Sequence, residues 1–359
     1  MRIAILGTGG IGLATAAWLS HYGHEPVLWS PSGNGTRELA VPGSQLHYSG
    51  VIEGKCNPSL ADHISEALAG TDAVIIAAPG NAHRHIMRAM APHLLDGQTV
   101  IINSVCSLSA LYLSKLLAER GVRAAIATWG TTVLTARRIS GTEVKIMTAR
   151  SSLHVATLPV SKKDEGLKIC QSLFGDRFAE QTNVLATSLI NINPIAHLGL
   201  ALCNVTRIER QESWPQYHYM TEGVSRLIMG LEQERLALAK AFGLEIHGIE
   251  EHFQRSFDVP PMPLKDIAAT LHAKRGGPPG PTSMDTRYIT EDAPFGLVFC
   301  EALAKTVDVD VPLHSSAINL ASLIWGINLR AQNDLLGELT LEKLGKDKLQ
   351  EFILDGWQP

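Results

Sequence analysis

Residues 2–20, RIAILGTGGIGLATAAWLS, decide the fold. Ile3 to Leu6 make a short apolar run suited to a strand, and an alanine-rich segment suited to a helix follows the glycines. Gly7, Gly9 and Gly12 stand in G-x-G-x-x-G spacing, and each has a physical task. Gly7 permits the tight turn out of the strand, Gly9 lets the backbone approach a pyrophosphate, and Gly12 lets the helix pack on the sheet. Gly10 and Ile11 complete the turn, whose free N–H groups and helix dipole favour an anion. A second short apolar run, EPVLWS, ends at Ser30. Strand, glycine turn, helix and strand together predict a dinucleotide-binding βαβ unit.

Outward from that unit, strand-like and helix-like segments alternate through the first 150 or so residues, the pattern of a doubly wound parallel sheet. DAVIIAAP (72–79), QTVIINSV (98–105) and RAAIAT (123–128) read as strands, and NAHRHIMRAMAPHLL (81–95) as a helix. Pro79, closing the first of these runs, joins the expected cofactor-binding set. VKIMTARSSLHVATLP (144–159) reads as further strands. From residue 186 long amphipathic segments dominate, and the stretch 260–288, rich in Pro and Gly, reads as a long loop. The expected architecture is α/β: an N-terminal Rossmann-type doubly wound parallel sheet over 1–185, followed by an all-α domain over 186–359. A length of 359 residues fits two domains at about 150 residues each.

Composition narrows the class. The chain is 45% hydrophobic and 18% charged, with a formal net charge of −4, which gives no electrostatic footprint for nucleic acid or an anionic membrane. Five scattered cysteines lack CxxC or His-paired spacing, so neither a disulfide framework nor a metal site is expected, and the reading is a protein of the reducing cytoplasm. Glycines interrupt the first apolar run, so no signal peptide is expected there, and no uninterrupted run reaches the ~18 apolar residues of a membrane span.

NINPIAHLGLALCN (191–204) carries a polar stripe through an apolar helix. At 100° per residue Asn193, His197 and Asn204 fall at about 0°, 40° and 20°. One reading makes Asn193 an N-cap and His197 a hydrogen-bonded core residue. The other makes the stripe a site.

This segment, followed by YHYMTEGVSRLI (217–228), EQERLALAKAFGL (232–244) and MDTRYITEDAPFGLV (284–298), resembles the opine dehydrogenases of the octopine and nopaline dehydrogenase group in order and spacing. The resemblance implies a Rossmann domain followed by a helical domain, with the active site between them; two domains joined near residue 186 predict hinge closure, since imine reduction benefits from excluding water. It also implies NADH- or NADPH-dependent reduction of the imine formed by an amino acid and a 2-oxo acid such as pyruvate. By the same resemblance His197 is the proton-transfer histidine and Asp292 its orienting carboxylate. A histidine titrating near 6.5 suits that task. Arg287 is the candidate clamp for the oxo acid's carboxylate, because a guanidinium fork binds carboxylate bidentately. Asn193 and Asn204 are candidates for nicotinamide or substrate contacts, His83 for a place at the nicotinamide or on a surface helix, and Glu222 for a structural first-turn acid.

Where octopine-forming relatives have a glutamate, this chain has Thr128 followed by Trp129, so Thr128 is placed at the amino acid's side chain and an uncharged amino acid is expected. Pro26 to Arg37 contain no acid, while Ser30 and Arg37 suit a 2′-phosphate, so NADP is the expected cofactor, with NAD as the alternative. A homodimer is compatible with this reading. The rivals are a 2-hydroxy acid or ketopantoate-type reductase and a non-catalytic dinucleotide sensor. The reductase is disfavoured by the absence of any lysine between Lys168 and Lys240.

Overall fold

A computed structural model describes residues 1–358. By contacts the chain divides into two units: Met1–Ser188 together with the C-terminal stretch from Gln350, and Leu189–Leu349. The expected helical domain ran to residue 359, and the structure corrects its end. The backbone N–H of Trp357 donates to Ser114 Oγ at 2.8 Å, and its ring stacks on Phe352 with Lys115 above it. An aromatic anchor thus returns the tail to the first unit.

The first unit is built on an eight-stranded sheet. Strands β1 (Arg2–Leu6), β2 (Glu25–Trp29), β5 (Ser59–Leu60), β6 (Ala73–Ile76), β7 (Thr99–Ile102) and β8 (Ala125–Trp129) lie in the order β5-β2-β1-β6-β7-β8, all parallel. Beyond β8 come β11 (Leu153–Leu158), antiparallel to it, and β12 (Phe178–Glu180). This is the doubly wound order, with the topological switch between β1 and β6. Ile3–Leu6, all of β6 and all of β7 are buried, as central parallel strands covered on both faces must be. Each buried Ile, Leu or Val there contributes about 1.5–3 kcal/mol. Helices α1 (Gly10–His21), α2 (Gly80–Met90), α3 (Ser109–Ala118) and α4 (Lys163–Phe174) supply the crossovers and covering layers. A smaller sheet, ordered β4-β3-β10-β9, is formed by β3 (Leu46–Gly50), β4 (Gly54–Cys56), β9 (Leu134–Arg138) and β10 (Glu143–Ala149).

The second unit is helical. Its principal elements are α5 (Asn193–Cys203), α6 (Glu222–Ala241), α7 (Ile249–Phe257), α8 (Leu264–Arg275), a π-helix (Tyr288–Val298), α9 (Phe299–Val307) and α10 (Pro312–Trp325). The expected long loop over 260–288 is interrupted by α8. Leu264, Ile267, Ala268 and Leu271 are buried on one face of that helix, a 3.6-residue pattern that the flanking prolines and glycines mask in sequence. One stretch, 184–203, has the length and mean hydropathy of a membrane span, yet 78% of it is buried inside the protein.

Candidate active site

In the first unit the glycine turn is built as its residues dictate. Gly7 has φ +126, and a Cβ there would lie 2.3 Å from the Ala77 carbonyl oxygen. A Cβ on Gly12 would lie 2.0 Å from the Gly7 carbonyl oxygen, so only glycine lets α1 start against the strand. Gly9 is exposed and would meet nothing within 4 Å, which leaves its backbone open to a phosphate. Gly10 begins α1, and Ile11 follows it half-buried. Pro79 is exposed at the N-cap of α2, across the switch point. Ser30 is buried at the end of β2, and its hydroxyl and that of Thr8 both border Gly35. Arg37 is exposed and stands in a run of turns rather than at a helix start. The nearest acid, Glu38, is held by the Gly141 N–H at 3.1 Å. These residues fit a dinucleotide.

One partner in this region was not anticipated. Arg138, on β9, donates to the Thr8 carbonyl at 3.0 Å and to the Gly35 carbonyl at 3.5 Å. It ties the loop after β2 to the glycine turn. An arginine in TARRIS carries no local signal for that role, which depends on the second sheet.

Two expectations in the first unit are corrected. Thr128 is fully buried, donates to the Ala156 carbonyl at 3.1 Å and shares a 2.7 Å hydrogen bond with the Thr187 hydroxyl. Its hydroxyl therefore fastens the interior, and no face remains for a substrate. His83 is neither at the surface nor free for a ligand. It is fully buried, its ring nitrogens meet Ser109 Oγ and the Ala78 carbonyl at 3.1 Å each, and burial, against the Ala78 hydrogen bond, lowers its pKa to about 4. The five cysteines are free, and Cys170 is a buried thiol pushed up to about 12 by that burial.

In the second unit two distant segments meet. His197, one turn into α5, donates from Nδ1 to Asp292 Oδ2 at 2.8 Å. Asp292 lies inside the π-helix and its side chain is 4% exposed, against 16% for His197. Tyr288, one turn earlier, stacks its ring on the imidazole at 3.8 Å and 3°. Burial and the neighbouring Asp292 raise the Tyr288 pKa, so the phenol stays neutral, and it accepts from Gln216 Nε2. Nε2 of His197 has no partner among the described residues. Asp292 thus fixes the tautomer, Tyr288 fixes the ring plane, and the outer nitrogen is left for a proton.

Arg287 caps the π-helix with Nε 3.7 Å from Asp292 Oδ2 and 3.3 Å from Glu291 Oε2. Its side chain is 60% exposed, so the guanidinium retains donors for a ligand. Burial acts to lower its pKa, but Asp292 and Glu291 outweigh that and raise it. The π-helix brings these groups into line. Gly296 would meet Pro194 at 2.3 Å if it carried a Cβ, so this glycine lets the π-helix press against α5. Asn333 Nδ2 donates to the Pro294 carbonyl at 2.8 Å, satisfying a group the wide turn frees.

The asparagines divide. Asn193 is half-buried at the first position of α5, where its own N–H is capped by Asn191 Oδ1 at 3.0 Å, and its side chain makes no hydrogen bond among the described residues. It is not the N-cap. Asn204 is buried and donates back to the Leu200 carbonyl at 3.0 Å as the C-cap of α5, so it closes a helix rather than holding substrate. Glu222 pairs with Arg226 and Lys265 on the surface, as a first-turn acid does.

A doubly wound dinucleotide fold together with a histidine–aspartate pair and an adjacent arginine defines a nicotinamide-dependent oxidoreductase class. A family model described as NAD/NADP octopine/nopaline dehydrogenase, alpha-helical domain, matches residues 180–325, and one described as NAD-dependent glycerol-3-phosphate dehydrogenase N-terminus matches residues 2–110. An opine dehydrogenase of Arthrobacter sp. (strain 1C) is 29% identical over 348 residues, covering 95% of this chain and 94% of that one. Octopine dehydrogenase, solved with NADH and L-arginine, shares the fold with a TM-score of 0.81 at 16% identity, covering 100% of this chain and 99% of that one. Yersinopine dehydrogenase, solved with NADP+, does so with a TM-score of 0.71 at 20% identity, covering 98% and 97%. Residues 180–325 thus match the octopine/nopaline dehydrogenase family model, and the chain is similar over nearly its whole length to an opine dehydrogenase.

Proposed function

We infer that the protein catalyses the NAD(P)H-dependent reductive condensation of an amino acid with a 2-oxo acid to a secondary amine dicarboxylate. The observation that carries this reading is the His197–Asp292 pair with its outer nitrogen free beside Arg287. His197 Nε2 takes a proton from the substrate ammonium, and Asp292 stabilises the imidazolium that forms. The neutral amine adds to the oxo acid's carbonyl, whose neighbouring carboxylate is held by Arg287. His197 returns its proton to the departing hydroxyl as the carbinolamine loses water, which leaves an iminium ion that keeps its N–H. A bound reduced nicotinamide would supply the hydride that converts the iminium to the secondary amine.

NADPH is the preferred donor in this reading. Ser30 and the exposed Arg37 support it, as does the absence of any acid from Pro26 to Arg37. The amino acid is uncharged, because residues 128–136 contain no acid, although Thr128 itself is buried. Free thiols throughout support a reducing, cytoplasmic setting. Leu313, Leu320, Leu323 and Ile324, exposed along α10, support a homodimer.

The test is dinucleotide oxidation with amine and oxo acid together and apart. Turnover that needs both, with kcat/KM higher for NADPH than NADH and for leucine, methionine or phenylalanine than for arginine, is the expected result. Oxidation with the oxo acid alone would make the protein a simple reductase, and none under any condition a sensor.

A further inference from the structure

Asn103 is buried at the end of β7 with 2% exposure, and neither its amide nitrogen nor its carbonyl oxygen has a hydrogen-bond partner among the described residues. Burying an amide in that state carries a desolvation penalty that nothing in the protein offsets. A leucine would fill an apolar interior without that cost. The backbone beyond is strained as well: Ser104, Ser107 and Leu108 have φ of 78, 44 and 55. Strain beside an unsatisfied polar group is characteristic of a ligand site rather than a strut.

The sheet says which ligand. Leu6, Ile76 and Ile102 are in register across β1, β6 and β7, so Gly7, Ala77 and Asn103 are the first residues past a common row. The Asn103 N–H extends that row by donating to the Ile76 carbonyl at 3.0 Å. At about 4.8 Å per strand, Asn103 stands roughly 10 Å from the glycine turn, on the side away from β2. A dinucleotide with its pyrophosphate at Gly9 and its adenosine toward Ser30 must extend its other half over β6 and β7. That half carries ribose hydroxyls and a carboxamide, which offer donors and acceptors together. The orphaned Nδ2 and Oδ1 of Asn103 need both. A substrate carboxylate offers acceptors alone.

We propose that Asn103 binds the nicotinamide-ribose half of the cofactor, donating from Nδ2 and accepting at Oδ1. The assignment rests on the first unit being the dinucleotide site. It explains why a polar side chain is retained in the interior at a strand end that otherwise calls for an aliphatic one.

The test compares full-length wild type with Asn103→Leu and, in case leucine disturbs folding, Asn103→Ser. Equilibrium affinity is measured for NADPH and NADH and for the adenosine fragments 2′,5′-ADP and ADP, with the melting temperature of ligand-free protein alongside. Asn103→Leu is expected to weaken whole dinucleotides about tenfold or more, leave the fragments within about twofold, and hold or raise the ligand-free melting temperature. Asn103→Ser falls between. Unchanged dinucleotide affinity in a folded variant, or equal losses for fragments and dinucleotides, overturns the assignment. Wild-type protein that binds neither fragment nor dinucleotide overturns the dinucleotide reading itself, and this inference with it.

Discussion

Two histidine–carboxylate pairs of the helical unit have nearly equal length and opposite use. His197 meets Asp292 at 2.8 Å and His314 meets Glu234 at 2.7 Å. His314 is fully buried at the start of α10, and Glu234 also accepts the N–H groups of Leu313 and His314, so one carboxylate caps the helix and holds the ring. Burial acts to lower the His314 pKa, but the nearby Cys300 sulfur and the hydrogen-bonded Glu234 carboxylate overcome it and hold it at about 9. That imidazole stays charged and exchanges its proton with nothing outside. His197 has the same kind of partner but an accessible edge, and a neutral aromatic face rather than a helix end around it. The pair alone therefore does not make a catalyst. Access to the second nitrogen does.

The widest gap between the pairs is expected on turnover. His197→Ala should lower kcat by roughly 10²- to 10⁴-fold while dinucleotide affinity and denaturant midpoint stay near wild type. Near-normal turnover would remove the distinction. His314→Leu should do the reverse, costing about 3 kcal/mol in denaturant unfolding because Glu234 loses its buried counter-charge, with turnover of the folded fraction unchanged. The two fully buried histidines should also shape the pH dependence of stability. His314, raised to about 9, contributes stability that is complete below about pH 6.5 and lost as pH rises through 9. His83, lowered to about 4, contributes stability present above about 6.5 and lost as pH falls toward 4. Unfolding midpoints measured across that range should peak between the arms, each arm on the order of 2–3 kcal/mol, and His314→Leu should flatten the alkaline one. The smallest effect concerns the clamp. Arg287→Lys should raise the KM for the oxo acid about tenfold and Arg287→Ala further, since an ammonium keeps the charge and loses the fork. An unchanged KM would leave Arg287 as a partner of Glu291 only.

What the sequence made legible follows from the range of the causes. The glycine turn was readable residue by residue because each task is set within six positions. His197 and Asp292 were readable only through the resemblance, since 95 residues separate them and neither segment shows the other. Thr128 was misplaced because its burial depends on β11 and on Thr187, which no local pattern links to it. Asn204 shared the angular stripe of His197, yet sits where α5 ends, and there the side chain turns back to the helix. Asn103 lay inside the apolar run QTVIINSV, read whole as a strand, and only the packed sheet shows that its amide lacks partners. The tail's return to α3 hangs on Trp357 and Ser114, 243 residues apart.

The π-helix makes the site sensitive to residue count. A π-turn spaces its hydrogen bonds i to i+5, one residue more than an α-turn, and usually survives only where something holds it open. Here Gly296 against Pro194 and Asn333 on the Pro294 carbonyl do so. Removing a single residue between Tyr288 and Asp292 would let the segment tighten into an ordinary α-helix and turn the carboxylate about 100° away from the ring it faces. Exchanging one apolar residue for another within Tyr288–Val298 leaves that phase untouched. Along this segment, length is a stricter constraint than identity, and an indel is the more damaging lesion.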